Sequence, residues 1–146
     1  MKLFIITLPL ILASCGNNIP FQEVAELKRP VGLQVAAAGS LTFTLTFYVQ
    51  NQEEIFDGYN LIISRSTIPD GSNLSGSPLI IDGTLPTLKY GPEDFDVNNS
   101  KAVTITNFDG FRSFENGVTY FFRIAAHSRT GRVSELSNEV SAVAAP

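Results

Sequence analysis

LTFTLTF, residues 41–47, sets Leu41, Phe43, Leu45 and Phe47 in alternation with Thr42, Thr44 and Thr46. Successive side chains of an extended chain point to opposite faces, so this stretch predicts a strand with one apolar and one polar side. Threonine suits the polar side because it is β-branched and tolerates water. Upstream, Leu33 and Val35 alternate with polar or small neighbours. Downstream, Tyr59, Leu61 and Ile63 form a third set, opened by the turn pair Asp57-Gly58. A short apolar run, residues 79–81, ends at Asp82-Gly83. Val103 and Ile105 then alternate with Thr104 and Thr106, and Tyr120, Phe122, Ile124 and Ala126 with Phe121, Arg123 and Ala125. Val140 and Ala142 complete the set.

Seven short strands separated by turn signals predict an all-β fold, a seven-stranded antiparallel Greek-key sandwich. From Val31 onward no window carries a convincing helical period, and a parallel α/β fold would need intervening helices.

The totals agree with one such domain. The chain has 146 residues, of which 44% are hydrophobic and 16% charged. That length buries enough surface for an independent core. Charged residues are scarce and Thr, Ser, Asn and Gly fill the polar positions, which suits an exported β protein. A net charge of −4, with no cluster of Lys and Arg, argues against a nucleic-acid partner. One cysteine allows no intrachain disulfide, and a single histidine beside it excludes the usual zinc sets. No metal and no cofactor is expected.

The first fifteen residues carry a different signal. Met1-Lys2 is basic, residues 3–12 are apolar but broken by Pro9, and Leu12-Ala13-Ser14 precedes Cys15. A basic start, a short apolar core and small residues at a cut site make a secretory signal, too short to span a bilayer. Leu12-Ala13-Ser14-Cys15 resembles the lipobox of bacterial lipoproteins. The resemblance implies removal of residues 1–14, acylation of the Cys15 thiol, and a lipid-anchored mature protein. Several acyl chains together hold a protein stably on a membrane. Asn17 as the second residue after the cysteine resembles lipoproteins sent to an outer membrane. The rival readings are an ordinary signal peptide with an incidental cysteine, or a buried N-terminal helix. Residues 15–29 then serve as lipidated cysteine and tether, read as a flexible spacer, with a helical turn through Val24 and Leu27 as the alternative.

Residues 30–146 carry a second resemblance. Phe114-Glu115-Asn116-Gly117-Val118-Thr119-Tyr120 resembles the L-x-P-G-T-x-Y stretch of fibronectin type III domains, with Asn116 and Val118 departing from it. Tyr120, Phe122, Ile124 and Ala126 match that family's F strand, and SELSNEV, residues 134–140, resembles its closing segment. Pro30, Leu33 and Val35 resemble the A strand, and residues 55–61, IFDGYNL, the approach to strand C. The resemblance implies an immunoglobulin-like sandwich with Tyr120 as a tyrosine corner, its ring packed inward and its hydroxyl bonded to upstream backbone. Tryptophan is absent from the chain, so Phe47 is the candidate for the family's B-strand tryptophan. Residues 66–101 exceed the family's usual C-to-E connection. Another sandwich of seven or eight strands is the competing fold.

Several residue groups invite a chemical reading. Asp94, Asp96 and Asn98 alternate as in calcium loops, but Asn99 stands where such a loop needs Gly and Ile105 where it needs Glu, so a solvated loop is expected. His127 and Ser128 are adjacent, which in a strand sends them to opposite faces, and no nucleophile elbow is present. His127 is therefore expected as an exposed residue at a loop edge. Arg129, Thr130, Gly131 and Arg132 fall at the F–G turn, a natural recognition tip, or a plain turn with Gly131 at positive φ. Phe108, Phe111 and Phe114 recur every three residues and are expected in core and corner packing rather than as an exposed strip. Asn73-Leu74-Ser75 and Asn98-Asn99-Ser100 match the glycan-acceptor pattern, read here as chance. Together these imply a non-catalytic binding or adhesion module in the bacterial cell envelope. Its contacts would be a membrane, through lipid, and a protein or glycan partner. The alternative is a structural or assembly subunit of an envelope complex.

Overall fold

A computed structural model describes residues 26–70, 79 and 84–146. Cys15, Asn17, most of the tether and Asn73 lie outside the described residues. Among the described residues seven strands follow in order: β1 (Gln34–Gly39), β2 (Thr42–Val49), β3 (Phe56–Ser64), β4 (Leu88–Lys89), β5 (Asp96–Ile105), β6 (Thr119–Ser128) and β7 (Val140–Val143). They form two antiparallel sheets, ordered β1-β2-β5 and β4-β3-β6-β7. The chain changes sheet between β2 and β3, between β4 and β5, and between β5 and β6. This is the all-β, Greek-key, fibronectin type III-like sandwich that the alternation and the resemblance predicted.

The decisive stretch behaves as its pattern requires. Phe43, Leu45, Phe47 and Val49 of β2 are buried and their neighbours half-exposed. Leu41 itself lies in the β1–β2 turn at φ 55, its N–H donating to the Ala145 carbonyl at 2.9 Å. Aromatic rings fill the space between the sheets in two clusters. Phe43 meets Phe114 at 4.7 Å and Phe122 at 5.0 Å in edge contacts. Phe47 meets Tyr59 at 5.6 Å and Tyr90 at 5.7 Å, so this half of the core is aromatic without tryptophan. Each fully buried ring of this kind contributes about 1.5–3 kcal/mol.

Tyr120 forms the corner. Its ring is fully buried and its hydroxyl accepts the Glu115 N–H at 3.0 Å, five residues upstream. Tyr59 does the equivalent work at the other end of the sandwich, and the pattern gave no sign of it. Its hydroxyl donates to Asn51 Oδ1 at 3.0 Å and accepts the Gln50 N–H at 3.2 Å, holding the chain as it leaves β2. Burial pushes its phenol up from 10.0 to about 12.

The sheet of β3 and β6 is buried on both faces. Ile62 and Ala125 point away from the main core and pack with Ile68 and Leu136, flanked by Phe121 and Val133. The connection from β6 to β7 runs along the edge of β6 and turns Val133 and Leu136 onto this face. The Ser134 and Ser137 hydroxyls accept the Ala126 and Ile124 N–H groups at 2.9 and 3.0 Å. The N–H groups of the same two serines donate back to the Ala126 and Ile124 carbonyls. Serine side chains thus complete a ladder that a kinked strand would leave open. Arg123, 7% exposed, donates to the Ser137 carbonyl at 2.8 Å and reaches Asp70 and Glu139.

Two strand boundaries differ from the pattern. β5 begins at Asp96, seven residues before Val103, because the chain after the Gly91 turn runs straight into pairing with Val49. Among the described residues the fourth strand is Leu88–Lys89, a pair the pattern did not mark, and residues 80–81 of the apolar run lie outside the described residues. Of that run only Leu79 is described; it is buried and its N–H donates to the Leu61 carbonyl at 2.7 Å. A two-residue strand leaves no period to detect. Its position is set by Gly58, at φ 143, where an added Cβ would stand 2.1 Å from the Leu88 carbonyl oxygen.

Candidate recognition loops

The strands sort the loops into two poles. Residues 26–33, the β2–β3 connection and the β6–β7 turn gather at one pole, where β2 ends and β3 begins. Asn51 Nδ2 donates to the Lys28 carbonyl at 3.1 Å and the Lys28 N–H to Glu53 Oε1 at 2.8 Å, tying the entering chain to this pole. The β1–β2 turn and the β5–β6 connection, residues 106–118, form the opposite pole.

The candidate turn at residues 129–132 belongs to the first pole. The Ser128 N–H donates to the Arg132 carbonyl and the Arg132 N–H to Ser128 Oγ, both at 2.9 Å. The Gly131 N–H donates to the Ser128 carbonyl at 2.8 Å, with Gly131 at φ 78 and open space where a Cβ would go. Arg129 docks this closed turn on its neighbour: its N–H donates to the Ile55 carbonyl at 3.0 Å and its Nη2 to the Glu54 carbonyl at 2.5 Å. Thr130 and Arg132 are left at the exposed tip. Arg132 lines a hollow of about 670 Å³ with Leu27, Arg29, Val133 and Glu135. A second hollow, about 500 Å³, lies between Arg129, Asp57, Lys89, Tyr90 and Glu93. Both mix charges of either sign.

His127 differs from its expected exposure. It sits inside β6 with its side chain 12% exposed, and its Nδ1 lies 2.7 Å from Asp57 Oδ1. The cause is non-local: a bulge between Phe56 and Gly58 shifts the β3 register and sets Asp57 alongside. Ser128 turns the other way, its hydroxyl within 3.0 Å of Thr130 Oγ1, and serves the turn rather than the histidine. The carboxylates near β5 serve their own backbone. Asp94 accepts the Gly91 N–H at 2.8 Å, and Asp96 accepts N–H groups of Asn98 and Asn99 and the Asn99 amide, each at 2.9 Å. These bonds, the Asn99 amide first, hold the Asp96 carboxyl below its usual range.

The opposite pole separates the three phenylalanines. Phe114 is 1% exposed in the core and Phe108 packs partly against it, but Phe111 is 94% exposed. Core packing, expected for all three, fails for Phe111 because the chain reverses at Asp109-Gly110, with Gly110 at φ 88. A three-residue spacing repeats a direction in a helix and not around a turn. Asp109 Oδ1 accepts the Phe111 and Arg112 N–H groups at 3.1 and 2.8 Å, and Oδ2 accepts Arg112 Nε at 2.7 Å. These donors, the Arg112 N–H first, hold the Asp109 carboxyl down at about 2. The Phe108 N–H closes the loop on the Arg112 carbonyl at 2.8 Å. Arg65 and Arg112 lie over the Phe108 ring at 5.3 and 5.7 Å. The Asp109-Gly110 pair was the readable signal for this reversal.

No protein-family model matches the chain, and no curated protein matches it. Among solved structures it is similar to the sixth fibronectin type III domain of human fibronectin type III domain containing protein 3. The two share 17% identity over 84% of this chain and 90% of that one, with a TM-score of 0.44. It is also similar to a structure described as that of a myokine, with 13% identity, 82% and 98% of the two chains covered, and a TM-score of 0.41.

Proposed function

We propose that the protein is a lipid-anchored module of a bacterial cell envelope that binds a partner without catalysis. The anchor reading rests on the sequence before Cys15, with Asn17 favouring an outer membrane where the organism has one. The binding reading is carried by one observation: the core is closed, and what the sandwich offers outward is a set of loops held rigid by their own hydrogen bonds. Rigid loops on a closed scaffold lose little entropy on docking, which suits recognition. At the pole where the tether enters, Thr130, Gly131 and Arg132 form one such tip, with Arg129 fastening it. A protein or glycan is the class of partner such tips fit, and nucleic acid is not, given the net charge of −4.

The alternative, a subunit of an envelope assembly, is favoured by β5. It is an edge strand of ten residues, and unpaired strand edges pair with other chains.

Cys15→Ala tests the anchor. The expected result is loss of labelling by radioactive palmitate and release from the membrane fraction. Continued labelling of the variant would overturn the reading.

A further inference from the structure

We infer that Asn98 is a glycosylation site, its side-chain amide accepting an N-linked sugar chain from a polyprenyl-diphosphate carrier once the protein is exported. The site lies beyond the binding module proposed above and takes from that reading only the export of the chain.

Asn98-Asn99-Ser100 has the acceptor spacing, an asparagine followed two places later by a hydroxyl with no proline between. Such spacing arises by accident, and the sequence holds it twice, at Asn73 and at Asn98. At Asn98 the fold adds what spacing lacks. In the β2–β5 ladder Phe47 pairs with Lys101 and Val49 with Asp96, so residues 97–100 stand opposite Tyr48 alone. A segment of that length facing one residue must bow out of the sheet, and it does so on an edge strand. Asp96 holds the bow: its Oδ1 accepts the Asn98 and Asn99 N–H groups at 2.9 Å, so neither needs a partner in the ladder. Residues 97–100 are all exposed.

The side chains divide in the same sense. The Asn99 amide donates to Asp96 Oδ2 at 2.9 Å, while the Asn98 amide and the Ser100 hydroxyl make no hydrogen bond among the described residues. The two groups that an acceptor sequence must offer are therefore the two left open. Other asparagines are committed to the fold: Asn51 and Asn60 are buried, and Asn138 exchanges two bonds with the Leu33 backbone. A bulky, hydrated sugar on Asn98 displaces no packed group.

The transfer asks nothing of this chain beyond the amide. Asn98 Nδ2 attacks the anomeric carbon of the carrier-bound sugar, so a C–N bond forms and the C–O bond to the diphosphate breaks. The polyprenyl diphosphate leaves with the electron pair, and the amide gives up one proton to a base of the membrane oligosaccharyltransferase. The sugar then stands on the open edge strand β5 and obstructs its pairing with another chain, which favours the single binding module over the assembly subunit.

The test is mass spectrometry of the full chain recovered from the envelope of cells that naturally produce it. Trypsin separates the two acceptor sequences, placing Asn98 in peptide 90–101 and Asn73 in peptide 66–89. The expected result is a sugar-bearing peptide 90–101, lost in Asn98→Gln and in Ser100→Ala, kept in Ser100→Thr, with the urea midpoint unchanged in all three variants. Ser100→Ala removes a hydroxyl that holds nothing among the described residues, so loss of sugar there reads acceptor chemistry and not stability. An unmodified peptide 90–101, sugar on peptide 66–89 instead, or sugar that survives Ser100→Ala would each overturn the inference. Palmitate labelling in the same cells reads the anchor independently. A glycosylated chain without label would sink the anchor and spare Asn98, a labelled chain with an unmodified peptide would do the reverse, and a chain with neither would sink both.

Discussion

Three tyrosines differ in what their hydroxyls hold, and removing each oxygen should separate them. Tyr48 faces outward from β2 and is half-buried, so Tyr48→Phe should change stability by less than about 0.5 kcal/mol. Tyr120→Phe leaves the part-buried Glu115 N–H without its acceptor at 3.0 Å, and losing a hydrogen bond of this kind costs about 1–3 kcal/mol. Tyr59→Phe strands two groups at once, the Gln50 N–H and Oδ1 of the fully buried Asn51. Its cost should exceed that of Tyr120→Phe by about 1 kcal/mol. Urea melts followed by tyrosine fluorescence or circular dichroism give the order. At a slope of about 2 kcal/mol per molar urea, Tyr120→Phe should lower the midpoint by about 1 M and Tyr59→Phe by more. The ring volumes are unchanged, so no cavity confounds the series. Equal losses at all three positions would show that neither buried hydroxyl is a structural tie, and the corner at Tyr120 would lose its energetic meaning.

Tyr59 also predicts an alkaline limit. Its folded phenol titrates at about 12 against 10.0 for a free tyrosine side chain, so between these values unfolding releases a proton. Its contribution is complete below pH 10 and should fall by about 2–3 kcal/mol towards pH 12, a decline that urea melts would find shallower in Tyr59→Phe. A parallel decline in both proteins would refute the shift. Ser137→Ala leaves the buried Ile124 N–H without an acceptor and should cost about 1–3 kcal/mol, with faster hydrogen exchange at that amide. Ser141→Ala, on the exposed side of β7, should cost almost nothing, and equal costs for the two would refute the ladder role of Ser137.

Periodicity and turn residues were enough to set the class of fold and the strands around 41–47, 59–63, 103–105, 120–126 and 140–142, while the corner at Tyr120 came from the family resemblance. These are local facts: a period of two along 41–47 or 120–126 states which face is buried, and turn pairs such as Asp57-Gly58 state where a strand opens. Everything that depends on residues distant in the chain was settled by tertiary contacts. Leu88–Lys89 pairs because Gly58 lets its backbone approach, not because two residues carry a pattern. His127 is covered because a bulge in β3 brings Asp57 to it, and Ser134 and Ser137 act as ladder acceptors because the β6–β7 connection runs alongside β6. Phe108, Phe111 and Phe114 look alike in sequence, yet one turn at Asp109-Gly110 sends the middle ring into solvent and leaves its neighbours against the core. The two poles are likewise invisible in a linear reading. Which loops share an end of the sandwich follows from strand direction and pairing, and those are fixed by contacts between segments that lie far apart along the chain.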